Sequence, residues 1–256
     1  MQYKFETVRQ NYAPLSSGSV IYSFPGQPAF PVRLSSEIFQ RCLLSLKKDN
    51  NNGPYALYDP LCGGGYLITC LGLLNSKDIS AIYGSDINPR AVNTTALNLK
   101  LLTFEGLNER TEQLKQLYRS YSKDSHKEAI ENAEYISQHF LTAKLDKISK
   151  KSFEADAFDS NCLTKEIDPG SMDIVITDLP YGKQTDWVRQ DANILELKET
   201  IPRLLNAIGP VVKKNSVVAL VGEKIDKRLI PSNYLLVEHF KVGLRHVSIL
   251  KLINNC

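Results

Sequence analysis

The sequence has no apolar run long enough to cross a bilayer, which takes about 20 consecutive apolar residues, and residues 1–6 lack the apolar core of a signal peptide. Its cysteines are few and odd in number, and no two show the spacing of metal ligands or of a redox pair. They are Cys42, Cys62, Cys70, Cys162 and Cys256. These absences predict reduced thiols, no metal site and a cytoplasmic location.

The sequence also lacks a strong excess of charge of either sign. Its net charge of +3 is too small to identify a binding partner. Its distribution is more informative. Residues 1–50 carry six basic and three acidic groups, and residues 210–256 carry eight basic and three acidic groups. Basic ends around an acidic middle would form one positive face that meets phosphate, although an ordinary solvated surface gives the same counts.

The chain from residue 53 alternates apolar strands with helices, which predicts a parallel sheet covered on both faces. Residues 1–32 are rich in proline and predict an irregular arm or hairpin, and the next helix is capped by Ser35 or Ser36. Seven strands are expected, the last two forming an antiparallel edge hairpin that turns at Gly243. The predicted strands are 55–58, 79–84, 153–156, 172–177, 217–221, 234–242 and 246–253.

An insertion at about 105–150 interrupts this alternation. Two stretches with helical spacing predict a helical hairpin, with Ser125 and Glu128 as a capping box. Residues 105–151 carry nine basic and eight acidic residues, which argues against a cationic clamp, so a packing extension is favoured over a specific RNA contact. We therefore divide the chain into an N-terminal arm and helix, 1–52, and a main domain, 53–256, that carries the insertion.

A glycine loop follows the first strand. Asp59 ends the strand, and the loop continues through Cys62, Gly63 and Gly65. Glycines here let a ligand approach the backbone, and an acid at the strand end suits a cationic group such as the ammonium of a methionine. The third glycine of a dinucleotide fingerprint would fall on Ile68, which argues against a nicotinamide cofactor. A glycine turn without a ligand is the alternative.

Acids also follow the next two strands. Asp86 could accept both ribose hydroxyls of a nucleoside, or it could merely cap the helix that begins near Pro89. Asp156 could meet an adenine amino group, although Asp159 competes for that role. The order of these acids after the glycine loop favours a nucleoside ligand across the strand ends.

The fourth strand runs into Asp178-Leu179-Pro180-Tyr181-Gly182. A carboxylate and a backbone carbonyl can hold a base amino group so that its lone pair points at a methyl donor. Pro180 stiffens the segment, and Tyr181 can stack on a flipped base. An ordinary strand-to-loop exit would use the same residue types. Methylation of a pyrimidine carbon would need a nucleophilic cysteine, and none lies near this motif.

These motifs together resemble class I methyltransferases, and more closely the avilamycin-resistance type of 23S rRNA guanine methyltransferase. The resemblance spans most of the chain. Its matching stretches are 30–38, Asp59-Pro60, Cys62-Gly63, Gly65-Tyr66-Leu67, 71–74, Ser85-Asp86 with Pro89, and 177–182 with Thr185 and Trp187. Leu179 departs from the broader class, which has proline there.

The resemblance implies a Rossmann-like fold, S-adenosylmethionine as cofactor, and a guanine of 23S rRNA or the large ribosomal subunit as target. Resistance to orthosomycin antibiotics is the implied consequence. We expect Asp178, Pro180 and Tyr181 at the catalytic centre. Asp59, Cys62, Gly63, Gly65, Asp86 and Asp156 are expected at the cofactor, and Arg33, Gly182, Lys183 and Trp187 at the RNA.

Several alternatives share part of this logic. A methyltransferase of tRNA guanine, DNA adenine or a protein glutamine would hold its amino group in the same way. A nucleotide-binding module or dehydrogenase is disfavoured, because Ile68 stands where the dinucleotide fingerprint needs its third glycine. A purely structural ribosome-binding protein would leave the ordered acids at three strand ends unexplained.

Overall fold

A seven-stranded mixed sheet organises the chain in the computed structural model, which describes residues 3–24, 26, 28–179, 197–222 and 225–253. The strands are β1 Tyr55–Asp59, β2 Ile79–Asp86, β3 Ser149–Glu154, β4 Met172–Asp178, β5 Val212–Gly222, β6 Tyr234–Val242 and β7 Arg245–Leu252. The helices are α1 Val32–Lys47, α2 Tyr66–Leu74, α3 Pro89–Lys100, α4 Phe104–Tyr121, α5 Asp124–His139, α6 Ala143–Lys147, α7 Ser160–Glu166 and α8 Leu197–Ile208.

The strand order is β3-β2-β1-β4-β5-β7-β6, with β1 to β5 parallel and β7 antiparallel to both neighbours. This confirms the predicted sheet and its edge hairpin. The chain order reverses between β1 and β4, and such switch points open a crevice at the carboxyl ends of the strands. Asp59, Asp86 and Asp178 end β1, β2 and β4, so the fold brings them to that crevice.

The N-terminal arm packs into the same core as the sheet. A short 3-10 helix, Ala13–Leu15, and a bridge between Ser17 and Ile21 are its regular parts among the described residues. Leu15, Val20 and Ile21 are fully buried in one hydrophobic cluster with α1, α2 and one face of the sheet. The division at residue 52 stays a prediction, and this shared cluster ties the two predicted parts together.

The insertion is helical, as predicted, and lies between β2 and β3. Two details were wrong. No side chain caps α5, which begins after Lys123, so Ser125 and Glu128 form no capping box. Helix α1 begins at Val32 after Pro31, one turn before the predicted caps, because proline fixes the backbone φ at −62°. The hydroxyl of Ser35 instead donates to the carbonyl of Val32 over 2.8 Å.

Two strands begin earlier than predicted: β5 begins at Val212, five residues early, and β3 differs at both ends. Strand β3 begins four residues earlier than predicted and ends at Glu154. Helix α7 was not predicted, and helix α8 is described from Leu197. No helix within the described ranges has the length and apolar character required to span a membrane.

Candidate functional site

The glycine loop turns sharply between β1 and α2. Gly63 and Gly65 have φ values of 53° and 72°, in the left-handed region that favours glycine. A side chain at Gly65 would place its first carbon 2.7 Å from Cγ2 of Thr95. The backbone nitrogen of Gly63 donates to Oδ2 of Asp86 over 2.9 Å. The loop is therefore held directly against the carboxylate at the end of β2.

Helix α3 supports this loop from behind with two buried polar side chains. Thr95 donates its hydroxyl to the carbonyl of Gly63 over 2.7 Å and lies 3.4 Å from the sulfur of Cys62. Asn98 donates to the carbonyl of Gly64 over 2.7 Å. The sequence reasoning missed both residues. Their spacing of three on an otherwise apolar helix face was the available signal, since buried polar groups require partners.

Asp59 and Asp86 form the acidic floor of the site. Burial is the main cause that raises the pKa of Asp59 to about 7, and the nearby carboxylates of Asp178 and Asp86 raise it further. Burial also raises the pKa of Asp86, although backbone N–H groups of Asn88 and Gly63 oppose the shift. Asn88, and not Asp86, caps α3 by accepting from the nitrogen of Arg90. Asp86 therefore remains aimed at the loop.

The structure separates the roles of Asp156 and Asp159. Asp156 is 7% exposed and follows β3 at the carboxyl edge of the sheet. Its Oδ1 accepts from the nitrogen of Phe158 over 2.9 Å. Asp159 is the N-cap of α7 and accepts from the nitrogen of Asn161. Because Asp159 serves the helix, Asp156 is the better candidate for a ligand contact.

Asp178 ends β4 with a buried oxygen at the crevice. Its Oδ1 is buried and has no hydrogen-bond partner among the described residues. Burial raises the pKa of Asp178 to about 7, against the opposing positive charge of Arg245. Buried polar atoms without partners usually serve a ligand or water. Asp178 is therefore a candidate acid–base group.

The remaining predicted residues fall into two groups. Pro180, Tyr181, Gly182, Lys183 and Trp187 lie outside the described residues, and so does Cys256. Arg33 lies in α1, where its Nη2 donates to the carbonyl of Glu6 over 2.6 Å and its guanidinium carbon lies 4.0 Å from the ring centroid of Tyr3. Arg33 thus fastens the arm, and its contact with RNA stays a prediction.

The predicted cofactor residues converge at one edge of the sheet. Asp59 pairs with Gly84 across β1 and β2, and Asp86 pairs with Glu154 across β2 and β3. Carboxylates suit the ammonium and ribose hydroxyls of S-adenosylmethionine, and the buried Oδ1 of Asp178 leaves an acceptor for a bound molecule. The residues present fit this cofactor. A glycine loop after β1, acids at or just after the ends of β1, β2 and β3, and Asp178 at the end of β4 are together the features of a class I methyltransferase.

Comparisons with known proteins narrow this class. A family model described as rRNA methyltransferase AviRa matches residues 1–245. The chain is 33% identical over 249 residues to a 23S rRNA (guanine(2535)-N(1))-methyltransferase of Streptomyces viridochromogenes, covering 97% of this chain and 95% of the relative. The chain belongs to the AviRa family of rRNA methyltransferases, as the sequence motifs indicated.

One solved structure agrees with this family assignment, and a second shares only the fold. The rRNA methyltransferase AviRa from Streptomyces viridochromogenes superposes with a TM-score of 0.85 at 31% identity, covering 98% of this chain and 97% of that one. A putative methyltransferase, YhhF from Escherichia coli, shares the fold with a TM-score of 0.50 at 11% identity, over 90% of this chain and 89% of that one.

Proposed function

We propose that this protein transfers the methyl group of S-adenosylmethionine to N1 of a guanine in 23S rRNA, and that the modification confers resistance to orthosomycin antibiotics. The observation that carries the proposal is the 33% identity to a guanine N1 methyltransferase over nearly the whole chain. The substrate is the rRNA or the large ribosomal subunit, and the site of action is the cytoplasm.

The target atom differs from the one that the sequence motif favours. The motif predicts a holder of an exocyclic amino group, whereas the relative's name gives the ring nitrogen N1. Guanine N1 carries a hydrogen, and its lone pair becomes available in the ring plane once that hydrogen leaves. A carboxylate with a pKa of about 7 can accept that hydrogen near neutral pH. We therefore assign Asp178 as the proton acceptor.

Each of the predicted cofactor residues would recognise a different part of S-adenosylmethionine. Asp86 would accept the ribose hydroxyls, Asp59 would face the ammonium group, and Asp156 would accept from the adenine amino group. Cys62, Gly63 and Gly65 would let the loop backbone approach closely. When bound, S-adenosylmethionine supplies an electrophilic methyl group, and Asp178 would hold the guanine edge towards it.

The residues that follow Asp178 would contact the target base and the RNA around it. The carbonyl of Pro180 would be aimed by its stiff backbone, and Tyr181 would stack on the flipped base. Gly182 would permit close approach, while Lys183, Trp187 and Arg33 would contact the RNA.

Methyl transfer from tritiated S-adenosylmethionine to 23S rRNA, followed by nucleoside digestion and mass analysis, tests the proposal. We expect 1-methylguanosine, a primer-extension stop at one nucleotide, and orthosomycin resistance in cells that express the protein. The Asp178→Ala variant should bind the cofactor and yield no product. Label in tRNA, DNA or protein but not in 23S rRNA would overturn the proposal.

A further inference from the structure

An open groove of about 890 Å³ lies between the N-terminal arm and the first turns of α1 and α2. Its walls mix charged, polar and aromatic side chains. They include Arg9, Asn11, Tyr12, Phe30, Arg33 and Tyr66. The groove is distinct from the cofactor residues, and its composition is not that of a closed apolar pocket for a small molecule.

The groove adjoins the catalytic edge at two points. Tyr66 is the first residue of α2 and directly follows Gly65 of the glycine loop. The ring centroid of Phe30, another residue of the groove wall, lies 5.5 Å from the guanidinium carbon of Arg245. The charge of Arg245 acts on Asp178. The groove therefore borders both the glycine loop and a side chain whose charge acts on Asp178.

The sheet register places Arg245 on the same side as Asp178. Asp178 pairs with Val221 on β5, and Val221 pairs with Val247 on β7. Arg245 is two residues before Val247, and side chains two apart in a strand share a face. Strand β7 runs antiparallel to β5, so its first residue lies at the carboxyl edge. Arg245 thus connects the groove wall, at Phe30, with the face of the sheet that carries Asp178.

The charged groups of the groove favour an anion. Arg9 is exposed, and Arg33 is held in a fixed direction by the carbonyl of Glu6. The carboxylate of Glu6 beside them already accepts from the hydroxyls of Tyr12 and Ser36 over 2.7 and 2.6 Å. Arginines bind phosphate, and a tyrosine ring such as that of Tyr12 can stack on a base.

We propose that this groove holds the RNA strand next to the target guanine, with Arg9 and Arg33 on its phosphates. The proposal rests on the proposed function and adds a path for the substrate. A single strand is the expected form, because a base that enters the catalytic crevice must leave its helix.

Charge substitution at Arg9 gives the first test, because the exposed Arg9 carries fewer structural contacts than Arg33. Affinity for a 23S rRNA fragment is measured at several salt concentrations for Arg9→Gln and Arg9→Glu. The control is Lys214→Glu, because Lys214 lies near the start of β5, at the end of the strand away from the crevice. We expect Arg9→Glu to weaken RNA binding about tenfold. The slope of log affinity against log salt should become shallower by about 0.7 for each phosphate that the variant no longer neutralises.

Cofactor affinity measured on the same variants separates this proposal from the proposed function. Arg9→Glu should bind S-adenosylmethionine as the wild type does. If the wild type methylates 23S rRNA while Arg9→Glu binds RNA equally well, the groove proposal is overturned and the function stands. If the wild type neither binds nor methylates 23S rRNA, both are overturned.

Photo-crosslinking identifies the occupant directly. A photoreactive amino acid replaces Ser16, an exposed residue of the groove wall, with the same replacement at Lys214 as control. We expect crosslinks from position 16 to nucleotides near the methylated guanine, and none of these from position 214. Crosslinks from position 16 to a ribosomal protein alone would overturn the RNA assignment.

Discussion

The side-chain nitrogen of Asn98 donates to the carbonyl oxygen of Gly64 over 2.7 Å. The same side chain also pairs with the backbone of Tyr22, whose carbonyl accepts over 3.0 Å and whose nitrogen donates over 2.8 Å. A single buried amide thus joins α3, the glycine loop and the N-terminal arm. The conformation of the glycine loop is therefore supported by contacts with this arm.

Replacing Asn98 with alanine should weaken S-adenosylmethionine binding. The substitution leaves the carbonyls of Gly64 and Tyr22 and the nitrogen of Tyr22 without their partner, at a cost of about 1–3 kcal/mol for each buried group. Isothermal titration should show a rise of at least about tenfold in the dissociation constant. Asn93→Ala, at an exposed position of the same helix, is the matched control. Equal cofactor affinity in the two variants would contradict this role.

Arg110, on helix α4 of the insertion, contacts the segment of the N-terminal arm that Asn98 also binds. Its guanidinium donates to the carbonyls of Ser19 and Val20 over 2.9 and 3.0 Å, and its central carbon lies 4.0 Å from the ring centroid of Tyr22. Arg110 is therefore a positioning residue that holds this arm segment next to Asn98. This assigns the insertion a supporting role, consistent with its nearly balanced charge.

Replacing Arg110 with leucine should therefore raise the dissociation constant for S-adenosylmethionine and lower the free energy of unfolding by about 1–3 kcal/mol. Arg110→Lys should recover part of both, since it keeps the charge but loses the planar fork. Arg119→Leu, an exposed change on the same helix, is the control. A loss of stability with unchanged cofactor affinity would limit Arg110 to packing.

The contrast between Asp86 and Asn98 explains how much of this site the sequence could predict. Asp86 follows an apolar strand, so strand order alone brought it to the glycine loop. Asn98 works through partners 34 and 76 residues away, and no local pattern specifies those distances. The predicted start of α1 was wrong for a different reason: Pro31 itself precedes the first helical residue, and the predicted arm included it. The sheet and its acids were predictable, whereas the support behind the loop was not.

Burial of the Asp59 carboxyl group lowers the free energy of unfolding when this group is ionised. Its folded pKa of about 7 lies above its ordinary value of 3.8. The folded state therefore binds this proton more tightly than the unfolded state. The destabilisation is absent below pH 4, grows as pH rises to about 7 and is complete above it. A pKa difference of about three between the folded and unfolded states corresponds to roughly 4 kcal/mol as an upper value.

Asp59→Asn should therefore be more stable than the wild type at pH 8, by up to about 4 kcal/mol, and no more stable at pH 4. It should also bind S-adenosylmethionine more weakly, because the neutral amide does not attract the ammonium group. Urea unfolding at both pH values and titration with the cofactor measure the two effects. Asp168→Asn, at an exposed aspartate, serves as control. A gain of equal size at both pH values would contradict the assigned burial cost.

Asp178 should make methyl transfer depend on pH around neutrality. A protonated carboxyl cannot accept the hydrogen of guanine N1, so the single-turnover rate at saturating cofactor should rise with pH and level off above about 7. Asp59 has a similar pKa and lies close by, so the acid limb belongs to the coupled pair. Arg245→Gln should move this limb to higher pH, because the charge of Arg245 favours the ionised form of Asp178.

Asp178→Asn separates proton acceptance from hydrogen bonding. The amide keeps the shape of the side chain and can still accept a hydrogen bond, but it cannot take a proton at neutral pH. We expect the rate to fall by about 10²–10⁴ with cofactor affinity nearly unchanged. A rate within a few-fold of the wild type, or a wild-type profile that is flat between pH 5 and 9, would show that the carboxylate only orients the base. In that case guanine N1 would lose its proton to another group or to water.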